Sequence, residues 1–326
     1  MSPTIVVTGG AGFIGSHTCK ALAREGFTPV VYDSLARGHD WAVRWGPLEK
    51  GDVNDLGRLT DVLARHRPAA VVHFAGLISV GESVADPLLY YRENVGGTLS
   101  LLEAMQTSGI NRLVFSSSAA VYGIPDKVPI PETAPLAPIN PYGASKHMVE
   151  RLIADTAAAC ELHWAALRYF NAAGADPDGE IGEAHDPETH LLPRALMAAA
   201  GQLPQFEIFG DDYDTPDGTC IRDYIHVADL AAAHVGAVRH VIAGRPSEAV
   251  NVGTGSGYSV RQVVDAVKRV TGRDFPCPIG KRRDGDPARL VADARRAGEL
   301  LGSRPRYSSL DDMVSHAWAW HQKGRR

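Results

Sequence analysis

The stretch Thr4-Ile5-Val6-Val7-Thr8-Gly9-Gly10-Ala11-Gly12-Phe13-Ile14-Gly15 decides the fold. Its β-branched run reads as a buried strand, a glycine-rich turn follows at once, and the amphipathic segment Ile14 to Glu25 reads as a helix. In that strand–turn–helix order a dinucleotide pyrophosphate can meet a helix N-terminus: one glycine permits the tight turn, another the close approach of the phosphates, and Gly15 close packing of helix on strand. A glycine-rich string alone is also what a flexible loop looks like, so its surroundings carry the reading.

Outward from this turn, the segments Pro29 to Asp33, Ala70 to Phe74, Arg112 to Ser116 and Trp164 to Arg168 read as further strands. Leu56 to His66, Leu88 to Thr107 and a segment from Pro141 toward Cys160 read as helices, with Gly26, Pro68 and Gly109 placed where helices stop. The alternation predicts an α/β chain: a doubly wound parallel-sheet Rossmann core with a smaller mixed α/β substrate-binding lobe. We expect residues 1–171 to form the dinucleotide-binding domain and 172–326 mainly the second lobe, with segments near 221–253 returning to the core. The glycine-, proline- and aspartate-rich loops Gly174 to Pro187 and Gly210 to Gly218 mark that change of texture, and the alanine-rich stretches Ala195 to Ala200 and Ala231 to Ala237 read as packing helices.

Asp33 ends the second strand, where a carboxylate accepts hydrogen bonds from adenosine ribose hydroxyls and repels a 2′-phosphate. NAD is therefore the expected cofactor, with Arg37 the nearby group suited to a 2′-phosphate instead. The chain has 326 residues, 44% hydrophobic and 22% charged, and a net charge of -5, which leaves no sequence-wide basic field for a nucleic acid or an anionic membrane. Four dispersed cysteines (Cys19, Cys160, Cys220, Cys277) fit a reducing compartment rather than a disulfide framework. The sequence shows neither a secretory signal pattern nor the ~18 uninterrupted apolar residues of a membrane span, so a cytoplasmic location is expected.

Tyr142 and Lys146 stand at i and i+4, on one face of the helix that opens at Pro141. A phenol with a pKa of about 10 is a poor base near neutrality, but a neighbouring cation favours the phenolate, and Lys146 supplies one. Ser116-Ser117-Ser118 follows the strand Arg112 to Phe115, at the strand end where ligands collect. Ser118 is the hydroxyl expected to bond a reacting oxygen, ahead of Ser117, while at least one of the three satisfies backbone groups in a turn.

Taken together, T-G-G-A-G-F-I-G, Ser118, Tyr142 and Lys146 resemble the extended short-chain dehydrogenase/reductase family. His73-Phe74-Ala75-Gly76, Val80-Gly81-Glu82-Ser83, Leu167-Arg168-Tyr169-Phe170-Asn171 and Arg222-Asp223-Tyr224-Ile225-His226-Val227 narrow the likeness, over nearly the whole chain, to its UDP-hexose 4-epimerases. The resemblance implies interconversion of UDP-glucose and UDP-galactose with a tightly held NAD: Tyr142 takes the 4-hydroxyl proton, Ser118 steadies the oxygen, C4 gives up a hydride, and the 4-keto sugar turns over before taking it back. It implies NAD contacts from Gly9, Gly12, Phe13, Ile14, Gly15, Asp33, Ser34, Asp52, Val53, Phe74, Ala75, Gly76, Asn94, Ser116, Tyr142, Lys146 and Tyr169. For the UDP-sugar it implies Ser118, Tyr142, Phe170, Asn171, His190, Leu191, Phe209, Arg222, Tyr224, Arg283 and Asp286. A homodimer built from the helices Leu88 to Thr107 and Tyr142 to Cys160 is implied as well.

This chain departs from the family pattern at Ile78, where some members carry a lysine, at His190, where others have asparagine, and at Leu290, where side-chain size is linked to acceptance of 2-acetamido sugars. Sugar-nucleotide dehydratases and decarboxylases place acids where Ala119 and Ala120 stand here. A 4-epimerase of another UDP-sugar (UDP-N-acetylhexosamine, UDP-glucuronate or UDP-xylose) and a non-catalytic NAD sensor remain alternatives. Glu183, His185, Asp186, Glu188 and His190 crowd together without H-E-x-x-H spacing, so no metal is expected and the segment reads as a substrate-side loop.

Overall fold

The computed structural model describes residues 2–283 and 286–324. Along the chain run β1 (Thr4–Thr8), α1 (Phe13–Arg24), β2 (Thr28–Asp33), β3 (Leu48–Lys50), α2 (Leu56–His66) and β4 (Ala70–His73). Then come α3 (Val80–Ala85), α4 (Pro87–Tyr90), a π-helical stretch (Tyr91–Gly96), α5 (Gly97–Thr107), β5 (Arg112–Ser118), α6 (Pro141–Ala159) and β6 (His163–Tyr169). The remainder comprises β7 (Asn171–Ala173), α7 (Leu191–Ala199), β8 (Ile208–Phe209), β9 (Ile221–His226), α8 (Val227–Ile242), β10 (Glu248–Val252) and β11 (Gly257–Ser259). It closes with α9 (Val260–Thr271), β12 (Ile279–Gly280), β13 (Arg289–Leu290), α10 (Arg295–Leu301) and α11 (Leu310–His321).

A seven-stranded sheet in the order β10-β6-β5-β4-β1-β2-β3 forms the main layer, and its pairings are parallel. Strands buried on both faces explain the continuous Val/Ile runs. Ile5, Val7, Val31, Val72, Val114 and Leu167 pack toward α1 and α8. Val6, Val30, Val71 and Leu113 pack toward α2, α5 and α6 on the opposite face. Strand order reverses between β1 and β4, and an open α/β sheet binds its ligand at the carboxyl ends beside such a switch.

Beyond β6 the chain builds a second layer. β9 pairs with β7 and β13 in parallel and with β11 antiparallel, and β8 pairs with β12. Helices α7, α9 and α11 enclose a separate apolar core around Leu196, Phe206, Val263, Val267 and Met313. The alanine-rich stretches lie in α7 and α8, and α8 packs against α1. No helix among the described residues is long and apolar enough to cross a membrane.

Two readings of the sequence are corrected. The serine triplet does not follow a strand; it forms the last three residues of β5. The single helix expected from Leu88 to Thr107 starts at Pro87 and is interrupted by the π stretch, which contains Asn94. A π stretch is rare and has no sequence signature of its own, so a pattern of helix-forming residues reads as one continuous helix.

Candidate functional site

The glycine turn is a close-fitted cradle. Gly9 has φ +71, and a Cβ there would lie 2.6 Å from the Ala75 amide nitrogen. A Cβ on Gly15 would lie 2.2 Å from the Gly9 carbonyl oxygen, so Gly15 serves contact with the cradle's own backbone rather than with β1. Gly12 begins α1 with no side-chain cap and no acid in the first turn, leaving the positive helix end free to face an anion. Phe13 and Ile14 open that helix.

Asp33 closes the next corner. Its carboxylate is 8% exposed and accepts from the Ala11 amide at 3.0 Å and the Leu35 amide at 2.8 Å, fixing its orientation beside the cradle. Arg37, 54% exposed, pairs with Glu82 at 2.8 Å at the protein surface. Ser34 accepts from Ala36. Asp52 receives the Tyr32 hydroxyl on its carbonyl at 2.8 Å, and Val53 is buried where a Cβ on Gly97 would strike it. Phe74 and Ala75 both donate their amides to Thr8, binding the end of β4 to the end of β1. Asn94 accepts from the Leu77 amide at 2.7 Å and donates to the Leu77 carbonyl and to Ser145 Oγ, joining the segment after Gly76 to α6.

Asn140 caps α6 by accepting from the Gly143 amide at 2.9 Å, with Pro141 in the first turn, and this sets Tyr142 and Lys146 facing the end of β5. Lys146 is 3% exposed and donates to the Ser116 carbonyl at 2.9 Å. Burial brings its ammonium down to about 8. Tyr142 is 8% exposed. Burial pushes its phenol up, and a hydrogen bond with Ser118 opposes that rise. The expected lowering of the phenol by Lys146 is therefore not the balance in the protein alone: the ammonium lies 6.0 Å from the phenol ring centroid, and desolvation outweighs it.

The three serines divide their tasks. Ser116 Oγ bonds the Tyr169 hydroxyl at 2.6 Å, and Ser117 Oγ donates to Glu150 at 2.5 Å in the interior. Ser118, opposite Tyr169 in the β5–β6 register, caps the short turn Ala119–Tyr122 and reaches Tyr142. Glu150, which the sequence reading missed, forms a two-pronged buried ion pair with Arg168 at 2.9 and 2.6 Å. Its one available signal was its place a helical turn beyond Lys146.

On the second layer, Asn171 and Tyr224 lie opposite each other in the β7–β9 register, and Asn171 donates to the Asp223 carbonyl at 3.0 Å. Phe170 and Leu290 both pack against the buried cluster of Ala119, Val121, Tyr122 and Ile130. Arg222 pairs with Asp286, which also receives the Tyr213 hydroxyl at 3.4 Å. The Arg283 guanidinium lies 4.1 Å from the Phe209 ring centroid, and the exposed Arg282 lies 3.9 Å from that of Tyr213. Tyr213 is a second residue that sequence reasoning passed over. His190 stands at the N-terminus of α7 ahead of Leu191 without a side-chain cap bond, and its Nδ1 is engaged by Glu183 and Glu188, each at 3.0 Å. Ile78 is 43% exposed.

Chemically, a hydroxyl, a phenol and an ammonium share one edge of the sheet beside an anion-accepting helix end and an oriented carboxylate. Cations stacked on aromatic rings lie in the other layer. The set suits proton transfer at a carbinol next to a bound dinucleotide, with a phosphate-bearing substrate held from the second layer.

Residues 5–253 match the model of the NAD dependent epimerase/dehydratase family. A UDP-glucose 4-epimerase of Rhizobium leguminosarum bv. trifolii is 52% identical over 323 residues, covering 99% of this chain and 98% of its own. The crystal structure of UDP-glucose 4-epimerase from Brucella ovis in complex with NAD is 54% identical with a TM-score of 0.95, covering 97% of this chain and 98% of that one. That of the Bifidobacterium longum enzyme in complex with NAD+ and UDP is 39% identical with a TM-score of 0.93, covering 98% of each chain.

Proposed function

This chain belongs to the NAD-dependent epimerase/dehydratase family, and from that premise we propose that it interconverts UDP-galactose and UDP-glucose by way of a transient 4-keto sugar. The observation that carries the mechanism is the convergence of Ser118, Tyr142 and Lys146 beside the glycine cradle. The cradle fits NAD: the uncapped α1 end would receive the pyrophosphate, and the carboxylate of Asp33, held by the Ala11 amide, would receive the adenosine ribose. Ser34, Asp52, Val53, Phe74, Ala75, Gly76, Asn94, Ser116 and Tyr169 complete the lining. When bound, NAD supplies the hydride acceptor that returns the same hydride, and its cationic ring favours the Tyr142 phenolate.

Tyr142 Oη takes the proton from the sugar 4-hydroxyl, Ser118 donates to the developing carbonyl oxygen, and the Lys146 ammonium favours the phenolate. Arg222 and Arg283 hold the diphosphate, Asp286 the uridine ribose and Phe209 the uracil, while Phe170, Asn171, His190, Leu191 and Tyr224 line the sugar side. With the nucleotide fixed, the keto-hexose turns about its link to the diphosphate and presents its other face. Tyr142 then returns the proton.

Residues 1–171 act as the NAD-binding domain and 172–326 mainly as the substrate-binding lobe, with 221–253 contributing to the core; β10 lies within the main sheet. The enzyme works in the cytoplasm as a homodimer. Val84, Leu88 and Met148, 64%, 70% and 48% exposed on packed helices, form the apolar face that supports the dimer; Leu88→Arg should halve the mass measured by light scattering.

The decisive experiment incubates purified protein with UDP-galactose and follows the anomeric protons by NMR, with Tyr142→Phe beside it. UDP-glucose should appear, and Tyr142→Phe should slow its formation by about 100- to 10,000-fold, the usual worth of a positioned general acid–base. Absence of product even with added NAD would overturn the reading.

A further inference from the structure

The segment 183–190 brings together four side chains that the epimerisation chemistry does not use as a set. Glu183, His185, Glu188 and His190 each offer one ligand atom, and those atoms all lie within 4.8 Å of one another. Both imidazoles turn Nδ1 inward onto the same Glu183 oxygen, Oε1, each at 3.0 Å. Glu188 faces the same point, with Oε1 3.0 Å from His190 Nδ1 and Oε2 3.7 Å from His185 Nδ1. The two carboxylates are 8% and 9% exposed, whereas His190 is 43% exposed, so the group is walled on one side and reachable from the other.

The backbone that carries these ligands is fixed from several directions. Trp320 Nε1 donates to the Glu183 carbonyl at 3.0 Å, the His39 ring bonds the Ala184 carbonyl at 2.7 Å, and Arg194 donates to the Glu188 carbonyl at 3.3 Å. The ring of His185 stands edge-on to Phe13 at 6.4 Å, which sets the group at the rim of the glycine cradle. An arrangement held this way needs little reordering to accept a guest.

We propose that Glu183, His185, Glu188 and His190 bind one divalent transition-metal ion, tying the substrate-side loop to the rim of the cradle. Two imidazole nitrogens with two carboxylate oxygens suit zinc, cobalt or manganese, whereas calcium and magnesium call for oxygen ligands throughout. Two carboxylates balance a dipositive ion. The ion also replaces the contact between two imidazole rings only 4.9 Å apart at their centroids. H-E-x-x-H spacing does not find such a site, because that pattern presupposes a helix, and here a loop reversal joins the ligands.

Cobalt(II) titrated into the chelator-treated, NAD-loaded chain under reducing conditions tests the proposal. One equivalent should develop visible ligand-field absorption without the thiolate-to-metal band of cysteine ligation, and zinc should erase it. His185→Gln and Glu183→Gln should each weaken binding at least tenfold. Undiminished binding in both variants, or a thiolate band in its place, overturns the proposal. Should either variant fail to fold, crystals of the unaltered chain soaked in zinc and measured at the zinc edge decide: an anomalous peak among the four side chains supports the site, and its absence there overturns it.

Discussion

Lys146 carries a cost that can be measured. Its ammonium is buried, and desolvation lowers it from 10.5 to about 8 in the folded chain. Below about pH 8 both folded and unfolded chains hold the proton, and the folded state bears the full penalty. Between about 8 and 10.5 the folded chain sheds a proton that the unfolded chain keeps, so stability rises with pH and the penalty is gone above that window. Relative to Lys146→Met, the unaltered chain should therefore gain about 3 kcal/mol across it; denaturant unfolding of the two proteins at a series of pH values measures this, and a constant difference would contradict it. Leu290 carries a second residue-scale prediction. It packs with Phe170 against Ala119, Val121 and Tyr122, in the turn that Ser118 caps, and so fills space beside the reacting edge. UDP-N-acetylgalactosamine should turn over about 10- to 100-fold more slowly than UDP-galactose, Leu290→Ala should narrow that gap, and equal rates in the unaltered enzyme would defeat the assignment. Tyr142 and Lys146 were legible because i and i+4 share a helix face. The balance of burial against charge at the phenol was not, since desolvation depends on what packs around it.

At the scale of elements, α6 owes its placement to a buried knot below the reacting groups. Glu150 on α6 pairs with Arg168 on β6 and receives Ser117 from β5, and Arg168 also donates to the Tyr122 hydroxyl at 3.0 Å. With each charged side chain 7% exposed, removing one strands the other. Glu150→Ala should thus cost about 3–5 kcal/mol, whereas the double change Glu150→Leu with Arg168→Met should cost far less; unfolding curves distinguish the two, and equal losses would show that the pair is not the cause. Sequence made the long elements visible. Leu56–His66 is read to the residue and β1 likewise, because their periodicity runs over a full element. β8, β12 and β13 are two residues each and carry no period at all, so the sequence predicts a mixed α/β lobe without locating its short strands. The π stretch escaped for a related reason, yet it places Asn94 between Leu77 and Ser145.

Across the whole molecule, the proposed reaction gives the two layers opposed duties: one would hold the cofactor rigid while the other would hold a nucleotide whose sugar must turn. Arg222 joins them, since β9 leads into α8, which packs on the main sheet, and its side chain pairs with Asp286 in the substrate layer. An anchor used equally in the ground and transition states raises KM when removed, with little loss of kcat. On the proposed mechanism Arg222 has a further task, because a 4-keto sugar would have to stay bound until its hydride returns. Arg222→Leu should raise KM for UDP-galactose by about 10- to 100-fold, the worth of a hydrogen bond to a charged group. It should also let some keto sugar escape, leaving reduced cofactor behind, so nicotinamide fluorescence should build up during turnover and activity should decay in step. A raised KM without fluorescence would mean that Arg222 binds substrate but does not retain the intermediate. Unchanged kinetics would move the diphosphate anchor to Arg283, whose guanidinium lies on the Phe209 ring and whose carbonyl accepts from the Asp286 amide.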